Sequence, residues 1–324
     1  MLKISKEMKN AYKNKNILVT GGTGSIGLAL VKQLISCKPK SIKVLTNDEN
    51  SIFDSTNIIG ENKSIKYILG DIRDKDRCQL SLRNVDIVFH AAAMKHIDIC
   101  EENPFDAIKT NVIGTSNLLE ASILEGISKF VFISTDKATN PTTTLGASKL
   151  LAERLTLDAG TYSGNQKMIF SIARFGNVIG SRGSVFQIFR QQLKKNLPLT
   201  VTDSRMTRFI MSISEAASMI LKMTAVKIED LAKTMIQVYR EKNKLAKDPK
   251  IEISKVRGYE RFHEFLVTSD EMPFCHDIEY MYKITKKLAK HTISLKDVNS
   301  STAARISKNK LRQLISELFD EVVY

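Results

Sequence analysis

The sequence predicts an α/β fold: a doubly wound parallel sheet with helices on both faces, followed by a smaller C-terminal region. Three observations predict it. Short apolar, β-leaning runs recur, separated by stretches with apolar residues at helical spacing, the pattern of strands joined by crossover helices. The first run leads into a glycine-rich turn that opens a helix. Each run ends in a cluster of small or polar residues, at the edge where open parallel sheets bind ligands. A Rossmann-type sheet with a smaller C-terminal substrate-binding region satisfies all three.

The elements follow in order. Residues 1–15 are a polar, lysine-rich lead-in. Ile17–Val19 forms the first strand and Leu28–Ile35 a helix, with Thr20-Gly21-Gly22-Thr23-Gly24-Ser25-Ile26-Gly27 between them. Gly21 permits the tight turn, Gly24 removes a side chain where a pyrophosphate would approach, and Gly27 lets the helix pack on the strand. The helix N–H groups and positive dipole end would then face phosphates. The spacing is Gly-x-x-Gly-x-x-Gly, and a plain turn between packed elements is the alternative. The flanking strand and helix favour a dinucleotide, which assigns Gly21, Thr23, Gly24, Ser25, Ile26 and Gly27 to cofactor binding.

The second strand, Ile42–Leu45, ends at Thr46-Asn47-Asp48-Glu49. Asp48 or Glu49 could accept from the ribose hydroxyls; no arginine stands at this turn, which favours NAD, with NADP kept as the alternative. The third, Ile65–Leu69, leads into Gly70-Asp71-Ile72-Arg73-Asp74. Asp71 is a candidate acceptor for the adenine amine, beside Ile72, or else a cap for the next helix. The fourth, Val85–Phe89, runs into His90-Ala91-Ala92-Ala93-Met94-Lys95-His96, where Ala91 and Ala92 are small enough for a cofactor to lie on the backbone. The fifth, Phe130–Ile133, ends in Ser134-Thr135-Asp136-Lys137, and a helix carrying Leu145-Gly146-Ala147-Ser148-Lys149 follows. The sixth, Met168–Ala173, ends at Arg174-Phe175-Gly176-Asn177. Residues 1–176 are therefore the NAD(P)-binding domain. Residues 177–324 are mainly substrate-binding, with some segments returning to the sheet. That half brings Arg182 in a glycine turn, Arg205 and Arg208 in Asp203–Phe209, and an amphipathic helix over Asn309–Leu318.

Composition narrows the function. The 324 residues carry a net charge of +14, which suits an anionic partner. The lysines are scattered and lack interleaved aromatics, so a phosphorylated small molecule is expected, not nucleic acid. No apolar run reaches the roughly 18 residues that cross a bilayer, and the N-terminus lacks the apolar core of a signal peptide. A cytoplasmic protein with no membrane span is expected. Cys37, Cys78, Cys100 and Cys275 fit no close-spaced metal or redox pattern, and no metal is expected.

The chain resembles extended short-chain dehydrogenases/reductases, and among them the polysaccharide-biosynthesis UDP-N-acetylglucosamine 4,6-dehydratases in their short form. The matching blocks are TGGTGSIG, GDIRD, HAAAMKH, KTNVIGT, ISTDKATNP, GASKLLAE, RFGNVIGSRGSV, PLTVTDSRMTRF and AVKIEDLA, in family order over nearly the whole chain. The resemblance implies bound NAD(P), a UDP-sugar substrate and self-association. It implies C4 oxidation, loss of water across C5 and C6, and hydride return to C6. Asp136 would be the acid and Lys137 the base, with Thr135 on the 4-hydroxyl and Lys149 on the nicotinamide ribose. Lys95 and His96 would face substrate, and Asn177, Arg182, Arg205 and Arg208 the UDP moiety. For His96 alone, a satisfied core histidine is the alternative.

Three departures stand out. The family's Tyr-x-x-x-Lys has Leu145 in place of tyrosine, and a leucine is neither acid nor base; some dehydratases of the group also lack the tyrosine. About one strand's length is absent near Ile220-Leu221-Lys222-Met223. Arg257-Gly258-Tyr259-Glu260-Arg261-Phe262-His263-Glu264 replaces a proline-glycine-glutamate-lysine stretch. Asp136 acting through water is the expected substitute for the tyrosine. A UDP-sugar 4-epimerase and an inactive nucleotide-binding relative are the other readings.

Overall fold

The computed structural model describes residues 6–164, 167–218, 223–243, 249–258, 260–278, 281–285, 287–289 and 293–320. Ile220, Leu221, Lys222 and Tyr259, singled out above, lie outside the described residues. The chain forms two compact units. One is Met1–Arg174 with Ala217–Met219, the other Phe175–Ala216 with Ile220–Tyr324.

The first unit runs α1 (Lys6–Tyr12), β1 (Asn16–Thr20), α2 (Ser25–Ile35), β2 (Ser41–Thr46), α3 (Glu49–Ile59), β3 (Ile65–Leu69), α4 (Lys75–Leu82), β4 (Ile87–His90), α5 (Ile97–Glu102) and α6 (Pro104–Ile108). A π turn, Lys109–Ile113, then leads into α7 (Gly114–Leu124), β5 (Lys129–Thr135), a 3₁₀ turn (Asp136–Ala138), α8 (Thr144–Tyr162) and β6 (Ile169–Phe175). The sheet order is β3-β2-β1-β4-β5-β6. Strand β1 pairs in parallel with β2 and with β4, so the chain order reverses between β1 and β4. That switch point is where an open α/β sheet leaves a crevice.

Both faces of the sheet are covered, and β1 makes this plain. Ile17 and Val19 pack with Leu30, Val31 and Leu34 of α2. Leu18, pointing the other way, packs with Leu118 of α7 and Phe130 and Phe132 of β5. Alternate residues thus feed two cores, which is why the strand reads as a continuous apolar run. Each fully buried Leu or Phe contributes on the order of 1.5–3 kcal/mol.

The second unit begins with β7 (Asn177–Val178), α9 (Val185–Lys194), β8 (Leu199–Val201), β9 (Thr207–Met211), α10 (Ile213–Ala217), β10 (Thr224–Lys227) and α11 (Ile228–Asn243). It continues with β11 (Ile251–Ile253), β12 (Cys275–Ile278), β13 (Met281–Ile284) and α12 (Lys308–Asp320). A three-stranded sheet has the order β10-β9-β7, β11 pairs with β8, and β12 with β13. Its core joins Phe186, Phe189 and Leu193 of α9, Leu231 and Met235 of α11, and Leu311, Ile315 and Leu318 of α12. The last three recur at helical spacing and account for the amphipathic pattern. Among the described residues, no helix is long and apolar enough to cross a membrane.

Candidate active site

The glycine turn adopts the shape its spacing demands. Gly21 has φ +61°, and a Cβ there would stand 2.7 Å from the Ala92 nitrogen. A Cβ on Gly27 would run into the Gly21 carbonyl oxygen, so α2 can sit at this depth only with glycine. Gly24 is the N-cap residue of α2 and supplies no capping side chain. A Cβ on Gly24 would meet only the Gly21 oxygen, at 3.2 Å. Ser25 and Ile26 form the first turn of α2. Thr23 turns inward instead: its hydroxyl donates to Thr46 Oγ1 at 3.1 Å and accepts from Ser51 Oγ at 2.8 Å. It ties the turn to the end of β2.

The acidic candidates are partly engaged. Asp48 caps α3, accepting from the Ser51 N–H at 3.3 Å. Asp71 accepts from the Arg73 guanidinium at 2.7–3.1 Å and from Asn47 Nδ2 at 3.3 Å. The arginine hydrogen bond holds its carboxyl below the usual range. An arginine therefore stands one strand away from the β2 turn, where that turn has none. The cap of α4 is Asp74, which accepts from the Arg77 N–H, so Asp71 is not the helix cap. The Ile72 side chain is in the core, packed beneath Gly114, and its carbonyl accepts from Asn117. Ala91 and Ala92 follow β4 beside Gly21, with the Ala91 N–H donating to the Thr20 carbonyl at 3.1 Å. Lys95 and His96 are exposed beyond them. Partial shielding of the His96 ring from water, then the Lys95 charge, lowers its pKa.

The end of β5 gathers the proton-handling groups. Thr135 donates to Asp136 Oδ1 at 3.0 Å, and Lys137 Nζ donates to the same oxygen at 3.0 Å. Asp136 is fully buried, and its Oδ2 has no hydrogen-bond partner among the described residues. Such an oxygen calls for a donor. Thr135 also accepts from the Lys137 N–H at 3.4 Å, closing the 3₁₀ turn. Helix α8 presses on this turn at Gly146, where a Cβ would strike the Lys137 carbonyl oxygen.

One helical turn on, Lys149 is buried, donates to the Ile133 carbonyl at 2.6 Å, and lies 4.0 Å over the Phe132 ring. Burial brings its pKa down to about 7, against the opposing pull of Glu153. Leu145 is buried in an apolar cluster with Cys100 and Ala107, flanked by Met94 and Ile97.

Sequence reasoning missed the group behind Lys149. Glu153 is buried, accepts from Ser134 Oγ at 2.5 Å, and pairs with Arg174 at 2.5 Å. The available signal was Glu153 four residues after Lys149, on the same helix face.

In the second unit, Asn177 and Arg208 line one small pocket with Ser184, Val185 and Ile210. Arg208 donates to the Thr207 and Phe262 carbonyls and lies 3.9 Å from Glu264. Arg205 is taken up by Asp203 at 2.8 Å and the face of Phe262, and Arg182 is exposed on its turn. Neither lines that pocket.

The profile of a family described as polysaccharide biosynthesis protein matches residues 17–286. The chain is 42% identical to a Methanocaldococcus jannaschii protein described as an uncharacterized membrane protein, over 96% of this chain and 98% of that one. It is 37% identical to a UDP-N-acetylglucosamine 4,6-dehydratase (inverting) of Campylobacter jejuni, over 86% and 84%. It is 33% identical to a UDP-glucose 4-epimerase of Rickettsia bellii, over 95% and 97%. Among solved structures, Pen from Bacillus thuringiensis is similar with a TM-score of 0.87 at 36% identity, over 96% and 99%. A dTDP-glucose 4,6-dehydratase from Streptomyces venezuelae, crystallised with NAD, shares the fold at a TM-score of 0.69 and 18% identity, over 94% and 96%.

Proposed function

The chain belongs to the polysaccharide biosynthesis protein family, among the extended short-chain dehydrogenase/reductase enzymes, and on that premise we propose that it is a 4,6-dehydratase of UDP-N-acetylglucosamine. The observation that carries this reading is the Thr135–Asp136–Lys137 arrangement at the end of β5. An epimerase needs no base for the C5 proton; a dehydratase needs a base for C5 and an acid for the C6 hydroxyl.

A dinucleotide fits the cradle at Gly21–Gly27, where Gly21, Gly24 and Gly27 leave the backbone of the turn and the helix start bare and Thr23 turns inward. It would be held by that turn, by the Ala91–Ala92 backbone and by Lys149, and when bound it supplies the capacity to take a hydride from C4 and return it to C6.

The protons are then the protein's task. Thr135 accepts the proton of the sugar 4-hydroxyl while passing its own to Asp136 Oδ1, along the 3.0 Å hydrogen bond. This makes Asp136 a carboxylic acid as the C4 ketone forms. Lys137, once in its neutral form, removes the C5 proton that the ketone has acidified. Asp136 protonates the departing C6 oxygen, and water leaves. Lys137 then returns a proton to C5. The proton taken from the 4-hydroxyl thus leaves in the water, and both residues end as they began. Asn177 and Arg208 are the preferred contacts for the UDP diphosphate, since an arginine fork suits phosphate.

A UDP-sugar 4-epimerase is the second reading, favoured by the Rickettsia relative. Incubation with UDP-N-acetylglucosamine and NAD or NADP in deuterated water separates the two. A 4-keto-6-deoxy product with deuterium at C5 is expected. Formation of UDP-N-acetylgalactosamine, without loss of water, would replace this reading by the epimerase.

A further inference from the structure

Three adjacent strands place one residue each in a single row. Thr20 on β1 is in register with His90 on β4, and His90 with Phe132 on β5. The Lys149 ammonium lies over that Phe132 ring. His90 is fully buried in this row, between the Thr20 hydroxyl and the Phe130 and Phe132 rings, and takes no part in the chemistry above.

Its hydrogen bonds have a direction. Thr115 Oγ1 donates to the Asn111 carbonyl at 2.7 Å, so its one hydrogen is committed. Toward His90 Nε2, 2.9 Å away, Thr115 can only accept. The imidazole proton is therefore on Nε2, and the bare Nδ1 accepts from Thr20 Oγ1 at 2.7 Å. That commits the Thr20 hydrogen and leaves its oxygen as the acceptor for the Ala92 N–H, at 3.3 Å. Burial and the nearby Lys149 both oppose a second proton on the ring, holding His90 down at about 3.

The far end is equally fixed. Asn111 sits in the π turn, a winding that often marks functional sites. Its side chain accepts from the Met94 N–H at 2.9 Å and donates to the Met94 carbonyl at 3.1 Å and to Ser148 Oγ at 3.0 Å. Ser148 precedes Lys149.

We propose that His90, locked as the Nε2–H tautomer by Thr115, is a positioning residue for the dinucleotide site. It turns Thr20 into an acceptor for the Ala92 amide and so fixes the Ala91–Ala92 backbone against Gly21. Little slack exists there, since a Cβ on Gly21 would already touch Ala92. The role rests on the dinucleotide reading of the glycine turn.

The test is a double-mutant cycle on the full chain. Thr20→Val, Thr115→Val, the double variant and Thr115→Ser are titrated calorimetrically with NAD and with NADP, with thermal melts to verify folding. Each valine removes one hydroxyl and keeps the shape. Each single valine variant should weaken the preferred dinucleotide about 10-fold, the scale of one buried hydrogen bond. The double variant should be no weaker than about threefold beyond either single one, because both hydroxyls act through one imidazole. Thr115→Ser should bind within about twofold of the wild type. Losses that multiply to about 100-fold, or wild-type affinity in Thr115→Val, would overturn the proposal. Imidazole ¹⁵N spectra give a reading that needs no ligand. The wild type should hold the neutral Nε2–H form from about pH 5 to about pH 8, and Thr115→Val should move the proton to Nδ1. An unmoved tautomer overturns the proposal. If the wild type binds neither dinucleotide, the cofactor reading falls, and with it the role assigned to His90, whatever the spectra give.

Discussion

The Thr135 hydroxyl donates to Asp136 Oδ1 at 3.0 Å, while Asp136 Oδ2 is buried with no partner among the described residues. In the proposed mechanism the first oxygen is the terminus of a short proton path from the sugar 4-hydroxyl, a direct alternative to the water-mediated path expected from the sequence.

Thr135→Val should lower turnover by about 100-fold or more, the scale of a lost general acid–base contact. Thr135→Ser should restore most of it. Product formation by NMR, beside dinucleotide affinity by titration, checks this; the affinity should be unchanged in both variants.

Lys137→Met should separate oxidation from elimination. The variant keeps Thr135 and Asp136, so absorbance of the reduced dinucleotide should appear on mixing with substrate and persist. Deuterium incorporation at C5 and formation of the 6-deoxy product should fall by about 10²–10⁴-fold.

Leu145→Tyr should not raise activity. Leu145 is packed against Cys100 and Ala107, so a phenol there overfills the cluster and should cost about 1–3 kcal/mol. Leu145→Ala should cost about 2–5 kcal/mol by leaving a cavity. Urea unfolding of both variants, with equal m-values, measures these losses.

Most of the fold was legible in the sequence because its signals are local. The alternation of apolar runs and helical spacing locates all six parallel strands; β3 keeps its bounds, β4 shifts to Ile87–His90, and the other four differ by one or two residues at each end. The positions of Asp136 and Lys137 follow from the strand that ends before them. What stayed hidden depends on partners far apart in sequence. Thr20 meets His90, Glu153 meets Arg174, and Leu145 meets Cys100 only when separate strands and helices are laid side by side. Competing local uses were hidden too: Asp48 reads as a ribose acceptor, yet its carboxylate also closes the first turn of α3.

Acid should destabilise the protein through His90. The folded state keeps the ring neutral down to about pH 3, whereas an unfolded chain takes up a proton near pH 6.5. This contribution is fully present above about pH 6.5 and is lost progressively as the pH falls toward 3. Thermal melts across that window should show a steeper decline in the wild type than in His90→Gln.

The burial of Leu145 also closes a road. A phenol at this position would need room that the four apolar neighbours now holding the leucine occupy. A tyrosine and the present packing therefore exclude each other at this position, and a motif search that demands the tyrosine would pass over a chain packed this way.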